Sequence, residues 1–186
     1  MSACSFAFAA ATGARRGELV ALRWRHVNLD AKTVLIESSA FEERGYRVEK
    51  ATKTRSVREV TLDGGTAEAV RAARLALRAN WDLVGASRSS QVHVLELSPG
   101  RPWPPNVAST RWNRAHVPGA AGVRLHDLCH WQATALLDAG VPLPTVASRL
   151  GHRDLTTTGR MYAHRTQRAD QQAADVVDRL LRTDPS

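Results

Sequence analysis

A small set of chemically able side chains lies scattered along this chain, and together they suit one kind of reaction. Arg15 follows a turn at Thr12-Gly13, and Lys53 sits in a basic stretch with Lys50, Arg55 and Arg58. His126 and His130 are four apart, His152 follows Gly151, and Tyr162 stands ten positions further on. Attack on a phosphodiester without a metal needs a nucleophile, cations on the non-bridging oxygens and an acid for the leaving oxygen. Arginine suits phosphate because its planar fork donates two parallel hydrogen bonds. Lysine and histidine can deliver a proton. Each residue alone has a plainer reading: a solvated arginine, a basic turn, a helix-cap histidine, a packing aromatic.

Two other site types compete. His126-Asp127-Leu128-Cys129-His130 puts two histidines at i and i+4 beside a thiol, a spacing that suits zinc. No third ligand region stands out, so no metal is expected. The stretch from Pro144 to Tyr162 imitates a helix-turn-helix, with a Gly turn and Arg160 on its second helix. That pattern suits a DNA-binding protein without catalysis.

The elements that must position these groups follow from periodicity and punctuation. Residues 5–11 are apolar and helix-compatible, and a helical pattern resumes from Arg15 to Arg25. Strand-like pieces run from Thr33 to Glu37, Tyr46 to Glu49 and Val57 to Leu62, and one three-stranded sheet is expected, its edge carrying Lys53. In the last piece Val57, Glu59 and Thr61 alternate with Arg58, Val60 and Leu62. Thr66 is the expected N-cap of a long helix to about Trp81. A possible strand spans Val92 to Leu97. Helices are predicted from Asn106 to Ala115, Leu125 to Ala139, Pro144 to Leu150 with Gly151 as its cap, and Asp154 to Tyr162. A last amphipathic stretch covers Gln167 to Arg182. The fold class is mainly α with a small antiparallel β-sheet, an α+β domain.

Composition narrows the partner. Lys and Arg number 26 against 18 Asp and Glu, a formal charge of +8 and a pI near 10.6. Nucleic acid is the commonest partner of such a surplus, although a basic solvated surface would look the same. Arg149, Arg153 and Arg160 cluster in sequence near Tyr162, and with Arg55 they are candidates for DNA-backbone contact. Two cysteines cannot build a disulfide framework. No apolar run approaches the ~18 residues that span a bilayer, and Met1 to Ala11 lacks the leading positive charge of a signal peptide. A cytoplasmic protein without membrane contact is expected. Trp131 and the other tryptophans are expected in the core.

The order of the motifs resembles the tyrosine recombinases of the phage-integrase type. Thr12-Gly13-Ala14-Arg15-Arg16-Gly17-Glu18-Leu19 with Ala21-Leu22-Arg23-Trp24 resembles their first box. Lys53 in Ala51-Thr52-Lys53-Thr54-Arg55-Ser56 looks like their β-hairpin lysine. Leu125-His126-Asp127-Leu128-Cys129-His130 resembles the His-x-x-Arg-His box, Leu150-Gly151-His152 the Leu-Gly-His box, and Met161-Tyr162-Ala163-His164 the nucleophile segment. The resemblance runs from Thr12 to His164. It implies a catalytic domain over 1–182, with a tail at 183–186 and the family's N-terminal core-binding domain absent. It implies that Tyr162 attacks the scissile phosphate to form a 3′-phosphotyrosyl link. Arg15 and the second-box arginine clamp the phosphate, His126 and His152 support it, and Lys53 protonates the leaving 5′ oxygen. Glu18 braces the site and His130 supports it. Double-stranded DNA and further recombinase protomers are the implied partners, and no cofactor is needed.

One position departs from the pattern: the second arginine is Cys129 here. A cysteine carries no fixed charge and makes no bidentate phosphate contact. Impaired cleavage is expected, and a non-catalytic DNA-binding protein or a degenerate integrase remnant is the alternative.

Overall fold

The computed structural model describes residues 3–52, 57–83, 91–115, 122–152, 174–175 and 177–179. Two helices open the chain, α1 (Ala3–Thr12) and α2 (Arg16–Ala21), and a single 3-10 turn at Trp24–His26 follows. The helical pattern expected from Arg15 to Arg25 is therefore split. Arg23 leaves the helix in extended conformation and forms an isolated bridge with His93.

The strands form separate small sheets. Strands β1 (Val27–Asn28), β2 (Thr33–Ile36) and β5 (Arg58–Thr61) make an antiparallel sheet in the order β1-β2-β5. In it Val34 pairs with Val60, and Ile36 pairs with Arg58. Strands β3 (Ser38–Glu43) and β4 (Tyr46–Ala51) form their own hairpin, in place of the single sheet expected. Its turn residues Arg44 and Gly45 have φ of 51° and 81°. Two successive positive φ values match the right-handed twist of the flanking strands, and Gly45 adopts its value without a Cβ clash. Thr52 closes the hairpin: its backbone N–H and its hydroxyl both donate to the Glu37 carbonyl, at 2.7 and 3.0 Å. Lys53 comes next and lies, with Arg55, outside the described residues.

Helix α3 (Gly64–Leu83) starts earlier than expected. Its cap is Asp63, whose Oδ1 accepts the Thr66 N–H at 2.9 Å; Thr66 itself sits inside the first turn. Beyond it come the short hairpin β6 (Glu96–Ser98) and β7 (Arg101–Pro102), then α4 (Pro105–Arg114), α5 (Asp127–Asp138) and α6 (Leu143–Leu150). The strand expected over Val92 to Leu97 is reduced to β6 and the His93 bridge.

The core gathers Phe8 of α1, Val20 of α2, Val34 and Ile36 of β2, Val60 of β5 and Val70 of α3, all nearly inaccessible to water. A second cluster joins Ala133 and Leu137 of α5 to Val146 and Leu150 of α6. The motif residues thus sit on short elements held from behind by packing. Trp24, Trp81, Trp103 and Trp112 are buried, but Trp131 is 59% exposed, contrary to its expected core position. It lies between the exposed residues His130 and the buried Gln132, on the outer side of α5. No described helix is long and apolar enough to cross a membrane.

Candidate active site

The site is built on the turn between α1 and α2. Gly13 has φ of +60°, and an added Cβ there would stand 2.3 Å from Gln132 Oε1 and 2.4 Å from Leu150. Only glycine fits so close an approach of α5 and α6 to the turn. Gln132 secures the same place by donating from Nε2 to the carbonyls of Ala10 and Ala11, at 2.8 and 2.9 Å. The chain then enters α2 with Arg15 as its N-cap. Arginine offers no capping oxygen, so Glu18 reaches back and accepts the Arg15 N–H through Oε2 at 2.9 Å.

Arg15 is held at two further points. Its Nη1 meets Glu18 Oε1 at 3.3 Å and its Nη2 donates to the Gly151 carbonyl at 3.1 Å. The second bond joins the first box to the Leu150-Gly151-His152 turn across more than a hundred residues of chain. Gly151 caps α6 in the left-handed region at φ 65°. His152 follows, its backbone N–H donating to the Ala147 carbonyl at 2.9 Å.

Arg15 still presents 40% of its side chain to solvent, on the wall of a cleft of about 730 Å³. Arg16, Arg124 and His126 also line this cleft, and Asn106, Ser109 and Asn113 of α4 face it at helical spacing. His126 and His130 stack edge to face with ring centroids 5.1 Å apart, as expected for residues four apart on a helix.

Electrostatics bind these groups into one cluster. Desolvation lowers the pKa of His152, and the neighbouring Arg15, His130 and Arg58 lower it further. Desolvation also leads for His126, followed by His130, with Asp127 opposing and Arg15 and Arg124 adding to the fall. Both imidazoles are therefore neutral at neutral pH, able to accept a proton or donate one hydrogen bond. Arg15, His126, His130 and His152 are thus brought together. Lys53, Arg55, Arg153, Arg160 and Tyr162 lie outside the described residues.

Two expected site residues take other positions. Cys129 is buried, and its Sγ donates to the Gly13 carbonyl at 3.1 Å, beneath the Arg15 turn and away from the cleft lining. Arg149 was expected to contact DNA; instead its Nη2 donates to the carbonyls of Ala11 and Thr61, at 2.7 and 3.0 Å. Those carbonyls close the end of α1 and the edge of β5, so the guanidinium is spent on the protein's own backbone.

Arg58 is the residue that sequence reasoning missed. Its guanidinium makes a bidentate pair with Glu18, Nη1 to Oε1 at 3.1 Å and Nη2 to Oε2 at 2.8 Å. Nε donates to the Arg149 carbonyl at 2.8 Å. A signal existed: Arg58 shares the strand face of Val60 and Leu62, and an arginine on a buried face requires a partner.

The profile of the phage integrase family matches residues 1–168. The chain belongs to the phage integrase family. It is 25% identical to a XerC-like tyrosine recombinase of Caldanaerobacter subterraneus, over 95% of this chain and 49% of that protein. It is also 25% identical to the integrase of Staphylococcus phage L54a, over 92% of this chain and 50% of the phage protein. The chain therefore spans about half the length of these curated relatives. In fold it is similar to the Tn1549 transposon integrase, solved in complex with transposon right end DNA. That likeness has a TM-score of 0.74 at 17% identity and covers 94% of this chain and 58% of the integrase. The α+β architecture of a phage-integrase-family domain is thus established for this chain.

Proposed function

We propose that this chain carries out DNA strand breakage and rejoining in site-specific recombination or integration, through a covalent link to Tyr162. The observation that carries the reading is Arg15, tethered to Glu18 and Gly151 yet half open on a basic cleft that His126 also lines. A phosphate in that cleft meets a fixed guanidinium and the neutral His126 imidazole, preorganised before substrate arrives.

In this reading the Tyr162 oxygen attacks the scissile phosphorus and forms a phosphotyrosyl ester with the 3′ end. The bond to the 5′ oxygen breaks as Lys53 gives that oxygen a proton. The phenolic proton passes to a neutral imidazole of the cluster. Rejoining is the reverse step, with a 5′ hydroxyl as nucleophile, so the bond energy is retained in the ester and no cofactor is consumed. Double-stranded DNA is the substrate, further protomers act with this one on the DNA, and the work is done in the cytoplasm. Arg153, Arg160 and Arg55 are assigned to DNA-backbone contact on sequence grounds.

Cys129 favours a second reading, a DNA-binding protein without cleavage, because it leaves one side of the phosphate without its arginine. A suicide duplex nicked near the cleavage site separates the two. The catalytic reading expects a covalent protein–DNA species that Tyr162→Phe abolishes. Retention of DNA binding with no covalent species, even after Cys129→Arg, selects the binding reading.

A further inference from the structure

We propose that Arg58 is a positioning residue for the phosphate clamp, holding Glu18 so that Arg15 keeps its free side turned into the cleft. The proposal rests on the reading of the cleft as a phosphate site.

One carboxylate, that of Glu18, meets two guanidiniums, those of Arg15 and Arg58. The side chains of Glu18 and Arg58 are 3% and 5% exposed. A buried carboxylate requires close cationic and hydrogen-bonding partners on both oxygens. Here Oε1 receives Arg58 Nη1 and the longer contact from Arg15 Nη1, while Oε2 receives Arg58 Nη2 and the Arg15 backbone N–H. The parallel two-point pairing belongs to Arg58. The Arg15 guanidinium touches Glu18 through Nη1 only and turns Nη2 to the Gly151 carbonyl. Arg15 can face a phosphate because Arg58, not Arg15, neutralises Glu18.

A second observation ties Arg58 to the turn that carries His152. A Cβ on Gly151 would stand 2.5 Å from Arg58 Nη1 and 3.0 Å from its Cζ, so the guanidinium lies against the backbone of that glycine. Its Nε bond to the Arg149 carbonyl fixes the last turn of α6 as well. One side chain on β5 therefore sets the first box and the Leu-Gly-His box relative to each other. The bond from the Arg15 guanidinium to the Gly151 carbonyl depends on that spacing.

Without Arg58, the buried Glu18 carboxyl loses its two-point partner, and the nearest cation able to replace the lost pair is Arg15. Arg15 would fold inward onto both carboxylate oxygens and leave the cleft. Arg58 acts only through Arg15 and the Gly151 turn; it does not touch the phosphate.

The test reads Arg15 directly, without DNA. The chain is treated with phenylglyoxal, and fragment mass spectrometry separates the adduct on Arg15 from that on Arg16. In Arg58→Met, folded by circular dichroism, Arg15 should react at least about threefold more slowly than in the unchanged chain, as its fork is captured by the buried carboxylate. Adding Glu18→Gln should restore the rate, and Arg58→Lys should lie between. A folded Arg58→Met with an unchanged Arg15 rate overturns the proposal, and so does failure of Glu18→Gln to restore it. If Arg58→Met does not fold, Arg58→Lys decides: a rate equal to that of the unchanged chain overturns the proposal. A DNA arm follows the salt dependence of duplex binding, where Arg58→Met and Arg15→Ala should each lower the slope by about one. Should the unchanged chain bind no duplex, the phosphate-site reading falls, while the phenylglyoxal rates still decide the role of Arg58.

Discussion

Cys129 shows how much one side chain can decide. Burial pushes its thiol pKa up, with Arg15 pulling the other way, so it is a protonated thiol donating to the Gly13 carbonyl. Neither charge nor a fork is available to the phosphate. Removing one preorganised donor typically costs ~2.7–4 kcal/mol of transition-state stabilisation, or about 100- to 1,000-fold in rate. Cys129→Arg is therefore expected to raise the covalent complex on a suicide duplex by about that factor, with Tyr162→Phe as the inactive control. For this the new side chain must leave the space under Gly13 and follow the His126 side of α5 into the cleft. Equal accumulation with and without the arginine would show that another cation already serves; Arg124, 80% exposed beside His126, is the obvious one. Residue types were legible in sequence where chemistry leaves a mark, as at Arg15 and His126. They were misleading where direction matters. Arg149 and Arg58 are both arginines near other basic groups, and only the tertiary structure shows that both turn inward to backbone carbonyls or Glu18.

At the scale of elements, periodicity located the helices around the site well. Predicted spans at 106–115, 125–139 and 144–150 meet α4, α5 and α6 within a few residues, and Gly151 stops α6 as expected. Sheet partition was not legible. Ser38, Ser39 and Ala40 carry little strand signal, and β3 forms because the Arg44-Gly45 turn folds it against β4. The start of α3 was displaced for a local reason, since both Asp63 and Thr66 are capping types and only geometry chooses between them. The hydrogen bonds from Thr66 hold the Asp63 carboxyl below its usual range. Asp63→Ala should destabilise the domain by about 1 kcal/mol, and Thr66→Ala by clearly less. Urea unfolding of both variants checks this, and a larger loss from Thr66→Ala would return the cap to Thr66.

The whole molecule adds charge and pH. With a net +8, duplex binding should be weak in sequence preference and should fall steeply between low and moderate salt, as phosphate contacts release counterions. Binding that ignores salt in an anisotropy titration would contradict this. Stability should respond to pH through the histidines. Desolvation leads in lowering the pKa of His26, His93, His126 and His152 below the ordinary 6.5. The unfolded chain therefore takes up protons first as pH falls below about 6.5, and stability must fall with pH in that range. His26 and His93 are buried and carry most of the effect, while the more exposed His126 is damped by solvent. Glu49 acts in the same direction at lower pH. Although its burial opposes ionisation, hydrogen bonds from His93, Arg47 and Arg23 bring its pKa down to about 2, so its contribution is complete above 4.5 and is lost on acidification toward 2. Glu96 works oppositely: burial raises its pKa, so its contribution weakens as pH rises past 4.5. Below pH 6.5 four histidines act against that one carboxyl and outweigh it. The melting temperature should therefore be higher at pH 7.5 than at 5.5, and His93→Gln should shrink the difference. A melting temperature that holds steady or rises on going to pH 5.5 would show that the buried histidines keep their protons in the fold, with Glu37 and Glu49 paying them back.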